Sequence, residues 1–247
     1  MVAYLRPRSA DLQQTGVITI DGPAGAGKTS TARALADRLG VAFLDTGAMY
    51  RGLAVAVLDR GIDPDDAAAV SAVASEVQLD FDWSAQPPTL LLDGKPMGGR
   101  LRDPDVTRAS SQVAVDGRVR QHLVRAQQRM GRERPGLVTE GRDQGSVVFP
   151  DATVKFYLDA TPEIRADRRI QQWLGEGRSV DESKVLGEIR QRDHRDSTRA
   201  DGPLTCAGDA VRIDTSGVPI DQVIETMHDH VMRALSGVGD GCESEQR

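Results

Sequence analysis

Residues 17–40 read VITIDGPAGAGKTSTARALADRLG: four apolar or β-branched residues and an aspartate, a glycine-studded loop, a lysine, two hydroxyls, then a helical pattern. Within this stretch GPAGAGKT, from Gly22 to Thr29, matches G-x-x-x-x-G-K-[ST] in full. Each residue type has a mechanical reason: glycines let backbone amides turn inward and form a nest for phosphate oxygens, and the following helix offers its N-terminal dipole. Lys28 is then a mobile charge for β- and γ-phosphates, and Thr29 a hydroxyl ligand for Mg²⁺. A strand reading precedes the loop, and Ala32, Leu35, Ala36 and Leu39 share one face of the helix that follows. The loop Gly22, Pro23, Ala24, Gly25, Ala26, Gly27, Lys28, Thr29 and Ser30 is therefore expected to bind a nucleoside triphosphate.

Outward from the loop, runs of β-branched and apolar residues recur at 41–44, 137–139, 154–158 and 211–213, mostly alternating with helical stretches. That alternation predicts βαβ units around a parallel sheet. Ile220, Val223, Ile224, Met227, Val231 and Leu235 lay out a C-terminal amphipathic helix. Between residues 78 and 97 the pattern shifts to short extended runs, QLDFDW, a Pro87-Pro88 turn, TLLLDG and KPM, with no crossover helix between them. These predict a small antiparallel insert spanning about residues 66–104, within a core of 17–65 and 105–235. Residues 1–16 read as an extension without a derivable role, and 236–247 as a flexible tail.

Composition narrows the function class. The 247 residues suffice for one large α/β domain with an insert. Cys206 and Cys242 have no second thiol at metal spacing, which predicts neither a disulfide framework nor a zinc site and makes a reduced cytoplasmic setting the default. No apolar run approaches membrane-spanning length, so a soluble protein with no membrane partner is expected. A net charge of −6 argues against binding nucleic acid by bulk electrostatics. With no exposed apolar stripe in view, the expected state is a monomer.

The phosphate loop alone does not name a reaction, since GTPases, motor ATPases and small-molecule kinases share it. The chain contains no asparagine, and so no N-K-x-D guanine reader. In doubly wound sheets ligands collect at the carboxyl edge of the strands. Three strand ends there carry an acid followed closely by glycine: Asp21, Asp45 in DTGAMYR, and Glu140 in EGRDQGS. These segments deliver Thr46, Arg51, Arg142 and Asp143 to one crevice, although on position alone Arg51 could equally be a solvated helix arginine. Residues 165–199 hold eight arginines and one lysine against seven acids, a surplus of only two. Most of these read as helix faces laced with ion pairs. The sharper reading is a flap at about 165–200 carrying guanidinium groups over a transferring phosphate, with Arg165, Arg168 and Arg169 on one turn and Arg192, Asp196 and Arg199 on one face. No obvious general base accompanies these groups, which suits an acceptor that is itself a phosphate, already largely dianionic at pH 7 with a second pKa of about 6.

The blocks IDGPAGAGKT, DTGAMYR, ASSQVA followed by RVR, GRDQGSVVFPDA, RQRDHRDSTR with a following PL, and DAVRIDTS, in that order, resemble bacterial cytidylate kinases from about Val17 to Leu235. The resemblance implies a P-loop NTPase fold with a five-stranded parallel sheet flanked by helices, an antiparallel β insert on the nucleoside-monophosphate side and a helical lid. It also implies transfer of the γ-phosphoryl of ATP to CMP or dCMP. Carried over by motif, Ser111, Arg120 and Asp143 would face the cytosine, and Arg51 and Arg142, with Thr46 nearby, would hold the acceptor phosphate. Arg192, Asp196 and Arg199 would approach sugar and phosphates, and Arg165 and Arg169 the transferring group. Lys28, Arg142, Arg165, Arg169 and Arg199 are thus the expected catalytic set. Without the family match, Ser111 is as readily a plain surface serine, and Arg120 could be one more solvated charge. The chain departs from the family at Gln144, where an apolar residue is usual, at Ser146, where threonine is common, and at Gly117, where proline is expected. Other readings are a kinase for UMP, dTMP or shikimate, or an ATP-binding switch that transfers nothing.

Overall fold

The computed structural model describes residues 16–236; the expectations for the N-terminal extension, the tail and Cys242 fall outside the described residues, apart from Gly16 and Ser236 themselves. Strand β1 (Gly16–Asp21) lies at the centre of a five-stranded sheet in the order β2-β6-β1-β7-β8, with β2 Ala42–Asp45, β6 Gly136–Gly141, β7 Val154–Asp159 and β8 Val211–Asp214. Every pairing is parallel. The register sets Asp45 beside Glu140, and Glu140 beside Ile20, the residue before Asp21. The three acidic strand ends are therefore close lateral neighbours on one edge of the sheet.

Helix α1 (Lys28–Leu39) packs against one face of the sheet with Ala32, Leu35, Ala36 and Leu39 all buried, as its spacing predicts. Helix α8 (Ile220–Leu235) shares that core through Val223, Ile224, Met227 and Val231. Ile220 departs from the expected stripe: it stands at the first turn and remains exposed. On the other face, α2 (Thr46–Asp59) and α5 (Gly117–Arg132) enclose a second core around Met49, Leu53, Leu123 and Leu137.

The small sheet is antiparallel, in the order β3 (Leu79–Asp82), β4 (Thr89–Leu92) and β5 (Lys95–Pro96), preceded by α3 (Ala67–Glu76). Leu79, Phe81 and Leu90 point into the same cluster as Leu53 and Leu137, so this unit has no hydrophobic centre of its own. Helix α4 (Pro104–Val113) returns the chain and buries Val106 and Ala109 against Ala54 and Val55 of α2. By contrast, α6 (Pro162–Gly175) and α7 (Glu182–Thr198) form a hairpin around a separate seam of four buried residues, Ala166, Ile170, Val185 and Ile189. At about 1.5–3 kcal/mol per buried side chain, that seam holds two helices to each other but ties them weakly to the body.

Candidate active site

The phosphate loop is shaped by backbone. Gly25 and Gly27 have φ of 83° and 85°, left-handed values that leave L side chains strained. At Gly22, φ 146°, a Cβ would collide with the Leu158 carbonyl of the neighbouring strand. No side chain caps α1, so its first amides face the loop. Ala24 and Ala26 are buried, and their carbonyls accept from Arg165 Nη1 at 3.1 Å and Thr215 Oγ1 at 3.3 Å. Thr29 and Ser30 lie exposed at the first turn. Lys28 is buried and donates from Nζ to the Pro23 carbonyl at 2.8 Å. Burial, followed by repulsion from Arg142, pushes the Lys28 ammonium down to about 7.

The acidic strand ends line this loop, each with a different job. Both Asp21 oxygens accept backbone amides, Gln144 N and Gly145 N at 2.8 Å each, fastening β1 to the turn after β6. Burial nevertheless raises the Asp21 carboxyl to about 6, against those two hydrogen bonds. Glu140 Oε1 accepts from Thr29 Oγ1 at 2.8 Å, and the Glu140 carbonyl accepts from Thr46 Oγ1 at 2.7 Å. Burial first, then the charge of Asp45, raises the Glu140 pKa. Asp45 caps α2 through Ala48 N at 2.8 Å and holds Arg51 Nη2 at 3.0 Å. The acids were visible at the strand ends, but these pairings depend on sheet register.

Opposite the loop, three arginines bear on one buried carboxylate. Arg142 Nε donates to Asp196 Oδ2 at 2.8 Å, Arg192 Nε lies 3.8 Å from the same oxygen, and Arg199 Nη1 lies 4.0 Å from Oδ1. Burial would raise the Asp196 pKa, but Arg142, Arg192 and Arg199 together hold it below the ordinary carboxylate value. Asp196 alone does not balance the three guanidinium groups, although Glu140 and Asp193 also act on Arg142 and Asp143 on Arg199. Burial and then repulsion from Arg142, with further push from Arg169 and Arg51, lower Arg192 to about 9. Arg169, its guanidinium 4.7 Å above the Trp173 ring, is likewise lowered by burial, with Arg142 and Arg51 adding repulsion. Arg142 and Arg192 thus act on Lys28, and Arg51, Arg142, Arg169 and Arg192 share one field.

Deeper in, Arg120 and Asp143 form a buried ion pair, so Arg120 is no solvated helix charge. The Arg120 guanidinium also lies 5.8 Å from the Tyr50 ring centroid. Gly202 packs directly on the Arg120–Asp143 pair, and its carbonyl accepts from Arg199 Nε at 2.6 Å. Gly117, one residue N-terminal to RVR, lets the Asp201 carboxylate occupy the space that a larger side chain would fill. Ser111 is buried rather than at the surface, and its Oγ accepts from Arg195 Nη1 at 2.9 Å. Gln144 fits its polar site: Thr139 Oγ1 donates to its Oε1 at 2.9 Å and its Nε2 donates to Gln127 Oε1 at 3.1 Å. Ser146 Oγ is buried without a hydrogen-bond partner.

Arg165 stands apart from the phosphate-facing cations. Its guanidinium is committed to Asp193 at 2.7 and 3.0 Å, to the Ala24 carbonyl and, through Nε, to the Ala160 carbonyl at 2.8 Å. Arg168 is held by Thr215, outside the cluster. Asp193 and Arg195 lie beside recognised positions in RQRDHRDSTR, yet nothing in their spacing tells which helix each one reaches.

A parallel sheet with a phosphate loop at its carboxyl edge and a surplus of arginines across the crevice defines a P-loop phosphotransferase. The family model described as cytidylate kinase matches residues 18–233. A cytidylate kinase of Mycobacterium leprae is 46% identical over 90% of this chain and 98% of its own length. One from Aeromonas salmonicida is 42% identical over 87% of this chain and 93% of its own. Among solved structures, a gluconokinase from Sinorhizobium meliloti superposes with a TM-score of 0.48 at 13% identity, covering 92% of this chain and 97% of that one. The chain belongs to the cytidylate kinase family. No helix among the described residues is long and apolar enough to cross a membrane.

Proposed function

We propose that the chain transfers the γ-phosphoryl group of ATP to CMP or dCMP, giving ADP and the corresponding diphosphate. The observation that carries this reading is the convergence of Arg142, Arg192 and Arg199 on the single carboxylate of Asp196, within the field of Lys28. Such a surplus of buried positive charge opposite a phosphate loop suits a second, phosphate-bearing molecule. An acceptor phosphate brings its own nucleophilic oxygen, so positioning and charge neutralisation suffice and no general base is called for.

In this reading the amides of residues 22–30 hold the donor phosphates, and Lys28 exchanges the Pro23 carbonyl for the β- and γ-phosphates. Arg51 and Arg142, with Thr46 nearby, hold the acceptor phosphate. Arg192 and Arg199 neutralise charge as the phosphoryl group moves, and Asp196 orients them. Arg165 and Arg169 ride on the hairpin of residues 165–200, which acts as a lid and keeps water from the transfer. Ser111, Arg120 and Asp143 meet the base, with the insert of 66–104 forming the wall on that side.

Mg²⁺ fits the donor set at Thr29. The Thr29 proton goes to Glu140, which leaves hydroxyl lone pairs for a cation, and the Glu140 and Asp45 carboxylates sit on adjoining strand ends beside it. Mg²⁺ ordinarily takes one or two protein ligands beside phosphate oxygens and water, so the single hydroxyl of Thr29 suffices on the protein side. When bound, it would neutralise the β,γ-phosphate oxygens.

Scattered exposed apolar residues such as Val115, Val147 and Leu174 favour a monomer, and the one described thiol, exposed and unpaired Cys206, is compatible with a reducing cytoplasm. Coupled ADP-release assays with CMP, dCMP, UMP, dTMP, AMP and shikimate test the reading. Faster turnover of another acceptor than of both cytidine nucleotides overturns the specificity. Tight ATP binding with no stimulation by any acceptor makes the protein a switch.

A further inference from the structure

Helix α7 carries two arginines that the phosphate-facing cluster does not use: Arg190, paired at the surface with Glu163, and Arg195. Arg192, Asp196 and Arg199 serve that cluster, whereas Arg195 reaches α4, where its Nη1 donates to Ser111 Oγ at 2.9 Å. A guanidinium has donors only, so the Ser111 oxygen is obliged to accept from it, and the single hydroxyl proton must be donated elsewhere. We infer that Arg195 is a positioning residue that holds Ser111 as a hydrogen-bond donor to the acceptor's base, and thereby selects cytosine over uracil.

This rests on the reading that CMP is the acceptor and that Ser111 meets its base. Ring nitrogen N3 of cytosine is a bare acceptor, whereas N3 of uracil carries a proton. A serine free to rotate could serve either base, donating to one or accepting from the other. With Arg195 on one of its two lone pairs, Ser111 can still accept from uracil N3–H, but its own proton then finds no acceptor at that position of the base, whereas cytosine N3 takes it. Asp143, held by Arg120, supplies the complementary half, because a carboxylate accepts from the exocyclic amine of cytosine and repels the carbonyl oxygen that uracil has there. Away from Ser111, Arg195 also borders a cavity of about 260 Å³ lined by Asp65, Gln112 and Asp116. One helix therefore carries both the phosphate-facing arginines and the residue that orients the base reader.

The test compares wild type, Arg195→Met, Ser111→Ala and the double variant, measuring kcat and KM for CMP and for UMP at saturating ATP. The expected result is a fall of about tenfold in the CMP-over-UMP ratio of kcat/KM for Arg195→Met, as for other contacts that discriminate by one hydrogen bond. The change should sit mainly in the KM for CMP, leave the KM for ATP unchanged, and add nothing further in the Ser111→Ala background. Arg195→Lys, which can only donate, should restore most of the ratio. Arg195→Gln, which can also accept, should relax it, and gives the same test if the methionine variant does not fold. Equal losses for both nucleotides, an unchanged ratio, or a shift that persists in full without Ser111 overturns the inference. Wild type that fails to phosphorylate CMP overturns the underlying reading as well, whereas wild type that prefers CMP regardless of residue 195 overturns the inference alone.

Discussion

The two sides of the crevice are made of different material. On the proposed donor side a single contiguous segment, residues 22–30, would hold the phosphates with backbone amides, and only Lys28 contributes a full charge. On the proposed acceptor side the groups are side chains from distant parts of the chain: Arg51 on α2, Arg142 after β6, Arg120 on α5, Arg192 on α7 and Arg199 just past its end. Amide dipoles can be packed together at little electrostatic cost. Guanidinium groups cannot, and each here is paired to or shared with a carboxylate: Asp45, Asp143 or Asp196. A backbone nest suits any triphosphate, whereas a side-chain array can be shaped to one acceptor. The difference explains how one loop serves many kinases while the opposite wall distinguishes them.

Four experiments bear on that contrast, ordered by expected size. Lys28→Met removes the one full charge of the donor side and should lower kcat by about a thousandfold, measured by coupled ADP release. A small effect would mean that amides alone carry the donor phosphates. Arg142→Ala should cost about a hundredfold in kcat/KM for CMP while the KM for ATP stays unchanged; a comparable rise in the KM for ATP would erase the division between the sides.

The third experiment addresses the joint between them, where Asp21 at the end of β1 holds the amides after Asp143. Its carboxyl is raised from 3.8 to about 6 in the folded chain, so between those values the folded state holds more protons than the unfolded state. Stability is therefore greatest below pH 4 as far as this group is concerned and falls as pH rises through 6, by about 3 kcal/mol for a shift of about two units. Urea denaturation of wild type and Asp21→Asn at pH 4.5 and 6.5 should show that slope in the wild type and lose it in the variant. Gln144→Leu strips the same joint of its buried amide and leaves Thr139 and Gln127 with lost partners. It should lower stability by about 1–3 kcal/mol in the same assay. Loss of activity without loss of stability would instead mean that Gln144 acts on the substrate.

What could be read from the sequence follows the same division. The phosphate loop, the flanking strand and α1 are legible because their signals are local: glycines at fixed spacing, then Ala32, Leu35, Ala36 and Leu39 at helical spacing. The five parallel strands announced themselves as apolar runs. The acceptor side was reached by motif blocks, which named Arg51, Arg142, Arg192 and Arg199 without telling what each would touch. The motif blocks assigned Arg120 and Ser111 to the base; on local sequence alone either could be a surface residue, because nothing nearby shows that Asp143, 23 residues away, and Arg195, 84 residues away, meet them across the fold. Arg165 shows the opposite failure: its lid-like position was evident, but its commitment to Asp193 and Ala24 depends on how the hairpin docks. Ile220 matched the helical stripe and is exposed because a periodic pattern does not say where the partner surface stops.

The two accessory pieces also differ in how readily they could be exchanged. The α6–α7 hairpin closes its own seam of four residues and touches the body largely through polar groups, so it resembles a cassette that could be lengthened, shortened or replaced while the rest of the chain kept its packing. The small sheet cannot be traded in that way, because Leu79, Phe81 and Leu90 complete the cluster that also contains Leu53 and Leu137. Recasting the insert means recasting the interior along with it.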